Sequence, residues 1–191
     1  RANEQTDDVR RYTGVAFEVT APPGLDVRAV TSNGAVSAAA VQGRLHLTTS
    51  NGAVDISDAV GQLRAVTSNG RIGAARCQGV LDLETSNGEI AVEDVSATVD
   101  AHTSNGPIVF SGTLIGPANS LGTSNGRIRF ATPATASLEI TAKTSSASIS
   151  SALPLVGDTQ GKEWLATLNP PAAAGVSLVT SNGAIEILPR P

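Results

Sequence analysis

The chain has 191 residues, a formal net charge of −4 and one cysteine, which is enough length for one domain. Hydrophobic residues make up 40% of the sequence and aromatic residues only 3%, so the core must consist of regular layers of Val, Ile, Leu and Ala. The acidic balance argues against a nucleic-acid partner, no apolar run is long enough for a transmembrane segment, and Cys77 has no second cysteine for an internal disulfide.

The N-terminal end is polar and charged. Residues 1–14 are predicted to be a flexible lead-in, and the folded domain is predicted over residues 15–191. No hydrophobic leader is present, so either a leader has been removed or the chain is an excised piece. The single cysteine fits an extracytoplasmic protein, secreted or attached to the cell envelope.

The tetrapeptide Thr-Ser-Asn-Gly (TSNG) occurs seven times and sets the organisation of the chain. The first four steps between copies are equal, at 18 residues each, and the next is 20. A degenerate copy, Thr-Ser-Ser-Ala, begins at Thr144, and the last TSNG begins 36 residues later, which is two repeats. The threonines of the seven copies are Thr31, Thr49, Thr67, Thr85, Thr103, Thr123 and Thr180, and the asparagines are Asn33, Asn51, Asn69, Asn87, Asn105, Asn125 and Asn182.

Apolar residues alternate with polar or small residues on both sides of each TSNG. They stand four and two positions before the threonine, as Leu45 and Leu47 do, and five and seven positions after it, as Val54 and Ile56 do. This period of two predicts two short strands per repeat, and no helical period of 3.6 is present. The fold class is therefore all-β.

Two architectures fit this pattern. Asn-Gly between alternating runs is typical of a hairpin and would give an antiparallel meander. A hairpin, however, needs neither the Thr-Ser before it nor a constant spacing, whereas stacked coils need both. We therefore favour a single-stranded β-solenoid with about 18 residues per coil, right-handed by the general preference of parallel crossovers.

Within such a solenoid each TSNG position is expected to form a column. The asparagines are predicted to form a buried ladder of side-chain amides, the threonines to point inward, and the glycines to occupy corners with positive φ. The coils should extend from about Val15 to Leu188, with Pro189 and Pro191 as an end stop, because proline cannot donate to a further strand.

Residues 152–171 break the period and form a predicted irregular insert, which contains Trp164. This tryptophan belongs to no column. It could be a lid over the solenoid core or an exposed anchor for a partner.

One polar cluster on the predicted surface has two chemical interpretations. Stacking makes Asp82 a neighbour of Asp100, and Glu84 a neighbour of His102. Carboxylates beside a histidine can serve acid–base catalysis or hold a metal, but a solvated face on which Arg64 pairs with Asp82 explains the same residues. We assign no catalytic residue, metal site or cofactor. The corners lack the aspartate of calcium-binding β-rolls, and the outward columns lack the threonine ranks of ice-binding solenoids.

The motif G-x-L-x-L-x-T-S-N-G, present from Gly43 to Gly52 and from Gly79 to Gly88, resembles the bacterial putative-adhesin β-strand-repeat family. The segment F-E-V-T-A-P-P-G from Phe17 is similar to the entry strand of that family, and the likeness covers residues 15–188. The resemblance implies a secreted or envelope-anchored β-solenoid with a cell-surface role, and it brings no catalytic residues.

Three functions follow as hypotheses. The first is a non-enzymatic cell-surface module that makes weak multivalent contacts with glycan, cell wall or protein. The second is a structural scaffold that self-associates into filaments through the open ends of the solenoid. The third, which we favour least, is a polysaccharide-acting enzyme, because the acidic and basic residues do not form the long groove that such an enzyme needs.

Overall fold

The structure is a computed structural model, and it describes residues 24–190. Within these residues it contains seventeen β-strands and no helix, as the alternating pattern predicted. The predicted lead-in (residues 1–14) and the entry strand at Phe17 lie outside the described residues, as does Pro191.

The strands follow one another with short connections. In chain order they are β1 (Val27–Val30), β2 (Val36–Ala39), β3 (Gln42–Thr48), β4 (Val54–Ser57), β5 (Val60–Val66), β6 (Ile72–Ala75), β7 (Gln78–Thr85), β8 (Ile90–Thr103), β9 (Ile108–Leu114), β10 (Asn119–Thr123), β11 (Ile128–Thr132), β12 (Leu138–Thr144), β13 (Ile149–Ser151), β14 (Val156–Asp158), β15 (Glu163–Leu168), β16 (Ala174–Thr180) and β17 (Ile185–Pro189).

The coils stack in parallel, so the fold is a β-solenoid and not a meander. We call the turn formed by each TSNG the corner of its coil. The strands that precede the corners form the leading face, in the order β1, β3, β5, β7, the end of β8, β10, β16 and β12. The strands that follow each corner form the trailing face, in the order β2, β4, β6, the start of β8, β9, β11, β17 and β13. The register in the first coils is one full repeat: Leu45 lies opposite Leu63, which lies opposite Leu81.

The core is a set of aliphatic columns between the two faces. Leu45, Leu63 and Leu81 are at most 1% exposed, and the other inward positions are filled mainly by Val, Ile and Ala. Phe110 stacks on Phe130 with ring centroids 5.1 Å apart. The core is thin and regular because each inward position receives the same kind of side chain from every coil.

The C-terminal coil is inserted into the stack and does not end it. β16 pairs with β10 on one side and with β12 on the other, and β17 lies between β11 and β13 in the same way. The prediction that the C-terminal prolines stop the stack is therefore wrong for Pro189, which lies opposite Thr132 inside it.

The C-terminal end of the leading face is covered by a hairpin from the predicted insert. β15 pairs antiparallel with β12, and β14 pairs antiparallel with β15. Trp164 lies on β15 opposite Ala142 and is 9% exposed. Its interpretation as an exposed partner anchor is wrong, because the indole packs with the core and leaves little surface for a partner.

The predicted positive φ of the TSNG glycines is also wrong. Left-handed φ values occur at the other turn of the coil, at Asp58 (54°), Arg76 (53°) and Gly61 (139°). The TSNG glycines are needed for a different reason, which is the close approach of successive coils. A Cβ atom on Gly88 would lie 1.8 Å from the carbonyl oxygen of Gly70.

This contact predicts that Gly88→Ala destabilises the solenoid by about 3 kcal/mol or more, because the backbone of two coils must move to admit a methyl group. Urea denaturation followed by the fluorescence of Trp164, the single tryptophan, measures the change in the free energy of unfolding.

Gly34→Ala is the matched control. Among residues 24–190, the nearest atom to a Cβ at Gly34 would be Thr31 Oγ1 at 3.4 Å, so the free energy of unfolding should change by less than about 1 kcal/mol. Equal losses in the two variants would contradict the close-approach explanation.

Candidate functional site

The threonine of each corner joins two coils through one hydroxyl group. In the coil that contains Thr67, Oγ1 donates to the carbonyl oxygen of Gly52 in the preceding coil at 3.0 Å and accepts from the N–H of Gly70 at 3.2 Å. The threonine side chains point inward, as predicted, and those from Thr49 onward are buried. The same pair of bonds recurs at Thr49, Thr85, Thr103, Thr123 and Thr180.

The asparagines form a continuous ladder on the surface. Nδ2 of Asn69 donates to Oδ1 of Asn51 at 2.7 Å, and Nδ2 of Asn51 donates to Oδ1 of Asn33 at 2.7 Å. The same bond links each following asparagine to the one before it in the stack. All seven asparagines are exposed, so the predicted burial of the ladder is wrong: the threonine occupies the inner side of the corner, and the asparagine is left on the outer side.

The degenerate corner continues this column. Ser146 stands where the other copies have asparagine, and its Oγ donates to Oδ1 of Asn182 at 3.3 Å. Thr144 Oγ1 donates to the carbonyl oxygen of Gly183 at 2.9 Å. The stacking order at this end is therefore the corner of Thr123, then that of Thr180, then that of Thr144.

The structure places Asp82, Glu84, Asp100 and His102 together on the leading face but separates them into pairs. The Arg64 guanidinium pairs with Asp82, and its Nη2 lies 3.4 Å from Glu84 Oε2. His102 Nε2 lies 2.7 Å from Asp100 Oδ1. These acidic and histidine side chains are 41–58% exposed, and no cluster with three metal-ligating side chains occurs within residues 24–190.

A serine lies next to the histidine pair. Ser120 Oγ is 3.3 Å from His102 Nε2, which is the same nitrogen that contacts Asp100. In a catalytic Ser-His-Asp relay the serine and the carboxylate use opposite ring nitrogens. The arrangement therefore does not activate Ser120 and is a polar surface contact.

Sequence reasoning missed a basic region at the N-terminal end of the leading face. Arg28, Arg44 and His46 line an open cleft of about 440 Å³, together with Arg64, Asp26 and other residues of the first coils. The sequence does contain a sign of this region. The position three residues before the TSNG threonine is occupied, in successive coils, by Arg28, His46, Arg64, Asp82 and Asp100. The leading face thus changes from basic to acidic along the stack.

A column of ion pairs lies at the turn that carries the positive φ values. Arg76 Nε and Nη2 each lie 2.7 Å from an oxygen of Asp58, and the hydrogen bond from Arg76 lowers the pKa of that carboxyl. Arg190 pairs with Asp94.

Cys77 beside this column is buried. Burial raises the pKa of its thiol, which opposes formation of the reactive thiolate.

Comparison with known protein families shows which family the chain belongs to. The family model described as Toastrack DUF4097 matches residues 15–188. The chain belongs to the Toastrack family. This confirms the family resemblance drawn from the TSNG repeat. No curated protein matches the sequence.

A solved structure of a "putative cell adhesion protein" from Clostridium sporogenes is similar to this Toastrack chain, with 11% identity and a TM-score of 0.32. The match covers 72% of this chain and 56% of that protein, so the chain spans little more than half of its relative. In the part of the chain that the structure describes, no helix is long and apolar enough to cross a membrane.

The threonine column and the asparagine column of the corners should contribute differently to the free energy of unfolding. Thr67→Val removes the hydroxyl group and leaves the buried N–H of Gly70 and the carbonyl of Gly52 without that partner, which should cost about 2 kcal/mol or more. Asn69→Ala breaks two exposed amide bonds that water can replace, so its cost should stay below about 1 kcal/mol. Urea denaturation of both variants measures the difference, and a larger loss for Asn69→Ala would contradict this assignment.

Proposed function

We propose that this Toastrack domain is a non-enzymatic cell-surface module that contacts an extended polymer, such as a glycan or the cell wall, or a protein surface. The observation that carries the proposal is the leading face, on which one outward side chain per coil lies in register along the whole described stack. In stacking order this column is Arg28, His46, Arg64, Asp82, Asp100, Ser120, Ser177 and Thr141.

The regular spacing favours multivalent contact. Parallel strands lie about 4.8 Å apart, so the seven steps of this column extend over roughly 34 Å. A repeating polymer can meet several coils at once, and many weak contacts on one rigid face then add up to useful affinity. An open array of this kind suits avidity better than the enclosure of one small molecule.

The charge pairs argue against an enzyme. Asp82 is held by Arg64 and Asp100 contacts His102, so these carboxylates are engaged within the face. A typical glycoside hydrolase needs two carboxyl groups that act on either side of a bound sugar. On the described leading face Asp82 and Asp100 are instead exposed to solvent and paired with a guanidinium and an imidazole.

Filament formation through the ends is a second hypothesis, and the C-terminal end argues against it. There the leading face ends in the β14–β15 hairpin, in which β14 is only three residues long. A short, irregular edge strand is a poor template for pairing with another molecule. We also propose that the module is secreted or attached to the cell envelope, and the support for this is the resemblance of its repeats to envelope proteins.

Binding of the whole chain to a glycan panel and to envelopes isolated from the encoding organism tests the proposal. The leading-face variant carries Ser120→Arg and Ser177→Arg, and the trailing-face control carries Ser111→Arg and Ser150→Arg. We expect the leading-face variant to bind at least about fivefold more weakly, which is about 1 kcal/mol, and the control to bind like the wild type.

Circular dichroism and sedimentation velocity accompany the binding assay, to establish that both variants remain folded and to report self-association. No binding of the wild-type chain to any envelope or glycan would overturn the proposal. Equal binding by the wild type and the leading-face variant would show that another surface is used, and concentration-dependent assembly would favour the filament hypothesis instead.

A further inference from the structure

The seven TSNG corners contain seven Asn-Gly sequences, and this dipeptide is chemically labile. The backbone nitrogen of the glycine, after losing its proton to water or hydroxide, can attack Cγ of the asparagine. A bond forms between this nitrogen and Cγ, the bond from Cγ to Nδ2 breaks, and Nδ2 leaves as ammonia. Water then opens the cyclic imide at either carbonyl, which gives aspartate or isoaspartate.

Six of the seven corners oppose this reaction in three ways. At Asn69, the amide is held in the ladder between Asn51 and Asn87 at 2.7 Å on each side. The attacking N–H of Gly70 is bound to Thr67 Oγ1 at 3.2 Å. The glycine is also pressed against the preceding coil, since a Cβ there would lie 1.8 Å from a carbonyl oxygen, so the backbone cannot rotate to bring the two groups together.

The corner of Asn33 lacks these restraints within the described residues. Asn33 Oδ1 accepts from Asn51, but no described residue accepts a hydrogen bond from its Nδ2. The bond from the glycine N–H to the threonine hydroxyl, present at the other six corners, is absent between Gly34 and Thr31. Of the described residues, a Cβ at Gly34 would meet only Thr31, at 3.4 Å or more, and Asn33 itself is exposed.

We propose that Asn33 is a site of spontaneous deamidation, and that the solenoid protects the other six Asn-Gly sequences. This proposal is independent of the proposed binding function.

The aspartate product is compatible with the fold. Asn33 serves its described ladder partner only as an acceptor, and a carboxylate accepts the same bond from Asn51 more strongly. An interior asparagine also donates to its neighbour, so its conversion would break the ladder. Conversion of Asn33 to aspartate adds one negative charge to this corner and keeps its hydrogen bond with Asn51.

The experiment is incubation of the whole chain in mildly alkaline buffer, followed by peptide mapping with tandem mass spectrometry at all seven sites. We expect Asn33 to convert about tenfold faster than any other TSNG asparagine, because reaction at an interior corner requires a local opening of the stack. The same chain in urea supplies the reference, in which all seven identical tetrapeptides should convert at similar rates.

Two variants distinguish this mechanism from general surface exposure. Gly34→Ala should abolish most of the Asn33 product, because a methyl group hinders the attacking nitrogen. Thr67→Val frees the N–H of Gly70 and should make Asn69 convert faster while Asn33 is unchanged. Faster conversion of an interior asparagine in the wild type, or an intact Asn33 under conditions that convert all seven sites in urea, would overturn the proposal.

Discussion

The solenoid depends on the hydroxyl group of the buried corner threonine. A chain that turns twice within each short repeat leaves backbone groups at each corner that cannot join a regular strand ladder, and such groups must be paired when buried. Thr67 Oγ1 pairs one of these groups from its own coil and one from the coil before. Because the hydroxyl both donates and accepts, it links successive coils as well as closing the corner.

Close spacing at the corner then restricts its other residues. At six of the seven TSNG corners only glycine can follow the asparagine, since a carbonyl oxygen of the preceding coil lies too close to the glycine Cα for a side chain. The asparagine is placed where its amide meets the amides above and below. Side chains of the two faces inherit the same register, so charges one repeat apart in sequence become neighbours, as Arg64 and Asp82 do. The surface chemistry of this domain therefore follows from the corner.

The C-terminal part shows how the stack is completed. After β13 the chain forms the β14–β15 hairpin, with β15 antiparallel to β12 at the outer end, and then returns to fill the position between β10–β11 and β12–β13. The returning strands gain backbone pairing on both sides. Contacts between distant parts of the sequence result, such as the pairing of Arg190 with Asp94, and Asn119 binds the carbonyl of Gly175 through its side chain at 2.8 Å.

The sequence by itself determined the all-β class, the coil length, the inward threonines and the columns of the core, because the alternating apolar residues predict strands and the repeated TSNG at a nearly constant spacing favours stacked coils over hairpins. It also placed Asp82, Glu84, Asp100 and His102 on one face, since register follows from the period. Only the tertiary structure decided that the asparagine ladder is exposed, that Trp164 is buried and that the coil of Thr180 precedes that of Thr144. These features depend on which coils become neighbours in space and on how closely they approach. The sequence distance from Thr144 to Thr180 is two repeats whether the last coil ends the stack or is inserted into it, so the sequence could not decide between the two.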